Sequence, residues 1–581
     1  MIWRVLGLLT AFALALPAGT PEFAARARAI VEYNSLPGKT GPLGYAAIAA
    51  RLKLRQTPEA CSASLIKLLD AGPTGDMFWM FPVVAIAYLD QGQLSTEARG
   101  KLRDSWRTYM PYRGDTENHW LMYYSSLYLA AQLWPDEPGD RWYTGKSSRE
   151  NLEEARGWIE KWVKLTTTRG QGEYDSPHYM GVYLIPMSYL AEWAKDAAMK
   201  KRATMMLDYL IADYAPENVD GIYVGAQSRV YDAAVLDKAS NVASDFGWLW
   251  FGLGKHLPQY DAYTSWYAYA SAYEPPEVLR RIATDRTQPY THYERKRTRN
   301  RWRFEEQLHG PVYKTTYMRR EYAVSSDQGG VLQPIQQHSW DVTWRVPDAL
   351  GKHNTFFTLN PHSSLHELQT YFTFARDTGI PVVVSSKKMY DSPDKLVGGS
   401  PYERLFQDED TVIALYDIAA GARFGHVNGF FSKDLTEVVE DPSGWIFARG
   451  GEARIAFRPL QPYSWKPMAD GDRRFFSPYP RNGIVVQVAS TGEFATTAQF
   501  RKAILALPLT YDVEKSPRVT FRSLRGKTIH FAYDAPPDRS KWPLFGGPFL
   551  QAEVDSERLV MQHGPLKRTL DFRTLTVTDK P

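Results

Sequence analysis

The chain has 581 residues, beyond the size at which a single hydrophobic core stops growing, so at least two domains are expected. Hydrophobic residues supply 44% and charged residues 23%, which excludes a disordered chain; 69 basic against 65 acidic residues leave a formal charge of +4, too small an imbalance to point to nucleic acid. One cysteine, Cys61, excludes an internal disulfide and any multi-cysteine metal site.

The first residues, "MIWRVLGLLTAFALALPAG", carry one Arg, an apolar run from Val5 to Leu16, then Pro and small residues. This is the layout of a secretory signal peptide with cleavage near Ala18, and the run is shorter than the roughly 20 residues a membrane span needs. The protein is therefore expected to be exported, periplasmic or secreted, with no membrane span after signal removal. "FWMFPVVAIAYL" (78–89) is apolar throughout but also too short to span, and predicts a buried inner helix.

From about residue 25 to 280 apolar residues recur at helical spacing, as in Tyr124, Leu127, Tyr128 and Ala131. Ser147 and Glu150 suit a capping box ahead of Leu152, Ala155, Trp158, Ile159 and Trp162, and Leu184, Met187, Ala191 and Ala194 continue the pattern. Packed antiparallel helix pairs are expected, as a bundle, a solenoid or a closed toroid; no fixed-period repeat is visible, which weakens the solenoid. After about residue 300 the texture changes to β-rich runs such as "TVIALYDI", "ARIAFRPL" and "GIVVQVAS" separated by turns, which predicts an antiparallel sandwich. Between the halves, "ERKRTRNRWRF" (294–304) places Arg299, Arg301 and Arg303 on one face of a strand, either a solvated edge guarded by charge or an anion-facing strip.

Three segments concentrate polar groups that a helical scaffold does not need. In "GDTENHWLMYY" (114–124), Asp115 or Thr116 can cap a helix whose first turn holds Asn118, His119 and Trp120, and free N–H groups there suit a carboxylate as well as ordinary capping. In "EYDSPHYMGVY" (173–183), Ser176-Pro177 favours a helix start, with Tyr179 and Tyr183 four apart on one face. In "QQHSWDVTW" (336–344), His338, Trp340, Val342 and Trp344 share one strand face and Asp341 points to the other.

Asn118-His119 in "ENHW" and Glu173, Ser176, Pro177 and Tyr179 in "EYDSPHY", in that order and about 55 residues apart, resemble the Asn-His and Glu-x-Ser-Pro-x-Tyr motifs of the heparinase II/III-like polysaccharide lyases and their alginate-lyase relatives. The resemblance implies an α+β multidomain chain: an N-terminal (α/α) toroid of helical hairpins over 21–295, after the signal over 1–20, then a C-terminal antiparallel β-sandwich over 296–581. It implies β-elimination on a uronate-containing, acidic polysaccharide. The implied catalytic residues are Tyr179, Asn118, His119 and a β-domain histidine. In the family that histidine stands in a His-x-Asp context, whereas two residues separate His338 from Asp341; His338 is the candidate and His353 the fallback. Arg229 in "YVGAQSRVYD", Trp120, Glu173 and Tyr183 are expected to bind substrate. No cofactor and no metal is expected.

Two other readings remain open at this level. Asp115, Glu117, Glu173 and Asp175 supply acids for a glycoside hydrolase's acid/base pair, and an aromatic cleft without aligned proton-transfer groups would make a non-catalytic glycan-binding protein.

Overall fold

The computed structural model describes residues 21–36, 43–72, 77–111, 116–255, 263–270, 273–298, 310–329, 337–363 and 390–580. The signal segment, Asp115, and the trio Arg299, Arg301 and Arg303 lie outside the described residues.

Thirteen helices occupy the described N-terminal half: α1 (Pro21–Ser35), α2 (Tyr45–Lys53), α3 (Pro58–Asp70), α4 (Met80–Asp90), α5 (Thr96–Thr108), α6 (Glu117–Leu133), α7 (Ser148–Arg169), α8 (Met180–Trp193), α9 (Ala197–Tyr214), α10 (Asp232–Leu236), α11 (Val242–Phe251), α12 (Tyr263–Tyr269) and α13 (Glu277–Thr284). Their packing closes a ring. α1 lies on α2, α2 on α4, α4 on α6, α6 on α8, α8 on α12, and α12 returns to α1, while α3, α5, α7 and α9 pack outside as hairpin partners. The sequence explains which layer each helix takes. α4 and α8 are apolar all round and buried, as an inner helix must be, with Pro82 of α4 in the first turn, where its missing N–H costs nothing. α7 is amphipathic, buries Ala155, Ile159 and Trp162, and starts with the expected Ser147–Glu150 capping box. No described helix is long and apolar enough to cross a membrane.

Strands dominate from Tyr290. A nine-stranded antiparallel sheet runs, in spatial order, Ser464–Pro467, Arg473–Ser477, Val427–Phe431, Thr355–Leu359, Trp340–Trp344, Tyr322–Gly329, Pro311–Met318, Tyr290–Arg297 and Phe545–Gly546. A six-stranded sheet, ordered Glu403–Asp408, Thr411–Asp417, Arg481–Ser490, Ala453–Pro459, Ile446–Gly450 and Thr436–Glu440, packs on it over Trp340, Val342, Trp344, Phe356, Val412 and Val486. The chain is thus a helical toroid followed by an antiparallel sandwich. A four-stranded sheet within 550–580 then folds back onto the helices through Leu550, Leu559, Met561 and Leu570.

The other face of the nine-stranded sheet meets the toroid through polar side chains. His292, Glu294 and Lys296 alternate along Tyr290–Arg297 and, with Lys314 of the next strand, face Asp175, Asp213 and Glu217. Glu294, Lys296 and Arg297, which open the segment whose Arg trio lies outside the described residues, are buried, in a strand paired on both sides. Opposite charges met across the interface make that burial tolerable. Gly170, at φ 88°, ends α7 where the chain passes under the sheet; a Cβ there would lie 2.5 Å from the Arg295 carbonyl oxygen.

Candidate active site

The loop between α7 and α8 is the "EYDSPHY" stretch, and Glu173 organises it. Its carboxylate is fully buried; Oε2 accepts from the Asn118 backbone N–H at 3.1 Å, the Asn118 amide at 2.5 Å and the Tyr183 hydroxyl at 2.8 Å, while Oε1 lies 3.3 Å from Arg229 Nε. Asn118 lies in the first turn of α6, where free N–H groups and the positive end of the helix dipole favour a carboxylate. The anion held there is one of the chain's own. Next to it, Glu117 accepts from Gly172 N, Glu173 N, the Trp162 indole and Arg297, so the loop is pinned to both the helix start and the first strand of the large sheet. Burial raises the Glu117 pKa, against the opposing pull of Arg297. Behind Glu173 a cavity of about 20 Å³, bordered by Gln171, Asp175, Tyr183, Asp213 and Tyr223, has room for about one water.

α8 begins at Met180, three residues later than Ser176-Pro177 suggests. The Ser176 hydroxyl accepts from Tyr179 N at 3.0 Å and donates to the Arg229 carbonyl at 2.8 Å, tying the two functional candidates together. Arg229 has φ 67°, a left-handed backbone that a non-glycine residue adopts only when its surroundings hold it. Its guanidinium carbon lies 4.8 Å from the centroid of the Tyr179 ring, and Tyr179 Oη is 2.6 Å from Tyr231 Oη. Burial raises the Tyr179 pKa, with Arg229 opposing; burial works against the Arg229 charge, but Tyr179, Tyr231 and Glu173 around it hold its pKa above the usual value.

His338 reaches the same loop from the β half. Gln227–Ser228 pairs antiparallel with Gln337–His338, Gln227 opposite His338, only two residues before Arg229. The strand run expected over 338–344 is broken at Ser339, and this changes where Asp341 points. Instead of facing away, its Oδ2 lies 3.0 Å from His338 Nε2, and Lys238 Nζ lies 2.5 Å from the same oxygen. Burial works against the Asp341 charge, but Lys238 and His338 hold its carboxyl well below the usual carboxylate range; burial lowers the His338 pKa, with Asp341 opposing. His353 lies past the other end of the Trp340–Trp344 strand, with Nδ1 2.7 Å from Asp472.

The remaining sequence candidates divide. His119 is half-buried, its ring edge-on to Phe78 at 5.7 Å. Trp120 packs on Trp158 of α7, centroids 5.4 Å apart, and Tyr183 is fully buried and stacked on Trp162. Tyr231 and Lys238 were missed by the sequence reading; the only signal was Tyr231's position two residues beyond Arg229. Two overlapping groups, Glu217–His292–Glu294 and Asp175–Asp213–Glu294, could offer ligand atoms to a cation, but the Lys296 and Lys314 ammoniums already lie against these carboxylates.

No protein-family model matches the sequence, and no curated protein matches it. Among solved structures, a chondroitin AC lyase of Streptomyces coelicolor A3, in complex with chondroitin sulphate, superposes with a TM-score of 0.42 at 12% identity, covering 96% of this chain and 90% of that one. A Paenibacillus xanthan lyase gives 0.41 at 10% identity over 95% of this chain; only 64% of that longer chain is covered.

Proposed function

We propose that the chain is an exported polysaccharide lyase that cleaves a uronate-containing polysaccharide by β-elimination. The observation that supports this reading best is the pairing of Gln227–Ser228 with Gln337–His338, which brings a β-domain histidine to the loop that carries Arg229 over Tyr179. The motif resemblance of "ENHW" and "EYDSPHY" to the heparinase II/III-like lyases agrees with it, and the signal-like first residues agree with export.

The reaction removes the proton on C5, next to the uronate carboxylate, and expels the C4 oxygen, leaving a C4–C5 double bond. The carboxylate's negative charge opposes that step. Arg229, the half-buried His119 and the Asn118 hydrogen not given to Glu173 are the donors that would neutralise it, and preorganised donors of this kind are worth about 10²–10³ in rate each. Glu173 keeps Asn118 and Arg229 in place without itself touching the sugar. His338, kept neutral by burial and oriented by Asp341, takes the C5 proton through Nδ1, since Nε2 is engaged. Tyr179, protonated because burial raises its pKa, gives its proton to the leaving oxygen.

A hydrolase would need a free carboxylate pair. Glu117 is bound to Arg297 and Trp162, and Asp175 to Lys296 and Lys314, so neither is poised to shuttle protons. Incubation with a panel of uronate polymers, followed by mass analysis of the products, tests the reading. Oligosaccharides lighter by one water than their hydrolytic counterparts support elimination; saturated products overturn it.

A further inference from the structure

The mechanism above leaves Tyr231 unused, although it makes the closest polar contact to the proposed acid. Its hydroxyl is 2.6 Å from that of Tyr179, the two rings are tilted at 6.2 Å, and the His178 ring stands edge-on to both. Tyr179 is 7% exposed and Tyr231 is half-buried, so the pair leads from the interior outward. Between two hydroxyls at this distance one donates to the other, and two phenolates side by side would repel strongly. The pair therefore holds at most one negative charge. The groups facing it are Arg229, over the Tyr179 ring; Glu173, which shares Arg229; His178; and Tyr263, which meets the His178 ring.

Taking the lyase reading as its basis, we propose that Tyr231 is a positioning residue that returns a proton to Tyr179 after each turnover. As the C4–O bond breaks, the Tyr179 O–H proton passes to the leaving oxygen. The Tyr231 O–H then breaks as the Tyr179 O–H re-forms along the 2.6 Å contact, leaving the charge on the more exposed phenol. Water protonates Tyr231, and His338 releases the proton taken from C5 to water. No proton is gained or lost over the cycle. In the intermediate state the phenol that keeps its proton donates to the one that has lost it, a charge-assisted bond stronger than a neutral one.

The test uses the full chain with 3-fluorotyrosine placed at position 231, read by fluorine NMR against pH without any substrate. Tyr179→Phe, which keeps the ring and removes the hydroxyl that donates to the Tyr231 phenolate, is expected to move the position-231 ionisation about one unit alkaline, the size of one lost hydrogen bond to a charged group. An unmoved or acid-shifted midpoint overturns the proposal. In steady state Tyr231→Phe is expected to lower kcat about tenfold and KM with it, leaving kcat/KM and the first turnover intact, and Tyr231→His, which restores a proton carrier, is expected to recover most of the loss in kcat. Should Tyr231→Phe fail to fold, Tyr231→His carries the test: kcat/KM held, with kcat following an ionisation in the imidazole range, supports the relay, and kcat/KM falling together with kcat overturns it. A shifted midpoint in a protein that releases no unsaturated product would keep the tyrosine pair and sink the lyase reading; unsaturated product with an unmoved midpoint would do the reverse.

Discussion

Gln227 of the helical half and His338 of the β half face each other across a two-residue antiparallel ladder. That short bridge sets the distance between the histidine and the loop bearing Arg229. Its partner Gln337 also donates to Asp327 Oδ1 at 2.8 Å, while Tyr174, next to Glu173, donates to Oδ2 at 2.6 Å. The two halves are thus joined by hydrogen bonds right beside the site.

Asp327 makes this junction pH-sensitive. Burial pushes its pKa up to about 8, and burial likewise lifts Glu217 and Glu403 to about 7. Unfolded carboxyls titrate near ~4, so the folded state holds these protons more tightly; the stability is full below that value and is lost as pH rises through 7–8. Thermal unfolding is expected to show Tm falling from about pH 5 to about pH 8, with a shallower slope in Asp327→Asn.

The Glu173 clamp predicts a kinetic result. Glu173→Gln keeps the shape but removes the charge that Arg229 and Asn118 share, so both donors shift. A kcat/KM lower by about 10²-fold, the cost of misplacing catalytic groups by about an ångström, is expected in steady-state assays, with the far-ultraviolet circular dichroism unchanged.

Asp341 holds the His338 ring. Asp341→Asn removes the charge that orients it and leaves the buried Lys238 without a counter-charge. Activity is expected to fall about 10–10²-fold, and urea unfolding to show a loss of about 3–5 kcal/mol, as for other buried pairs broken on one side. Wild-type activity should decline on the acid side only below the ordinary imidazole range, because burial lowers the His338 pKa.

Lys314 lies within ion-pair distance of Asp175, Glu217 and Glu294 in the interface between the sheet and the toroid. Lys314→Met leaves those carboxylates with Lys296 as the remaining ammonium. A loss of about 3–5 kcal/mol is expected in urea unfolding, smaller at low pH, where the acids take up protons.

Much of this molecule was legible in the sequence for physical reasons. Helical and strand periodicities are local, so the order of a helical half and a β half, the inner helix containing "FWMFPVVAIAYL" and the Ser147–Glu150 box could all be read from neighbouring residues, whereas the closing of the helices into a toroid was implied only by the motif resemblance. Long-range pairing could not be read in that way. The His338–Asp341 contact depends on a strand break at Ser339 that no turn residue announces, the burial of Lys296 depends on Asp175 and Asp213 of the helical half, and that of Glu294 on Lys296 and on Lys314 of the next strand. Glu173, expected against the substrate, is instead wholly buried beneath Asn118 and Arg229, because its partner at the start of α6 stands 55 positions away. Tyr231 carried no motif; only folding places its hydroxyl on Tyr179.

In the proposed mechanism Tyr179 protonates the leaving oxygen of a uronate elimination. The most direct test of that step is the ultraviolet absorbance of the unsaturated uronate over a panel of uronate polysaccharides, comparing wild type with Tyr179→Phe. A rise is expected with the wild type, slowed by about 10²–10⁴-fold in the variant, the usual worth of a general acid. An undiminished rise in the variant, or reducing ends released by the wild type without any absorbance, would contradict it.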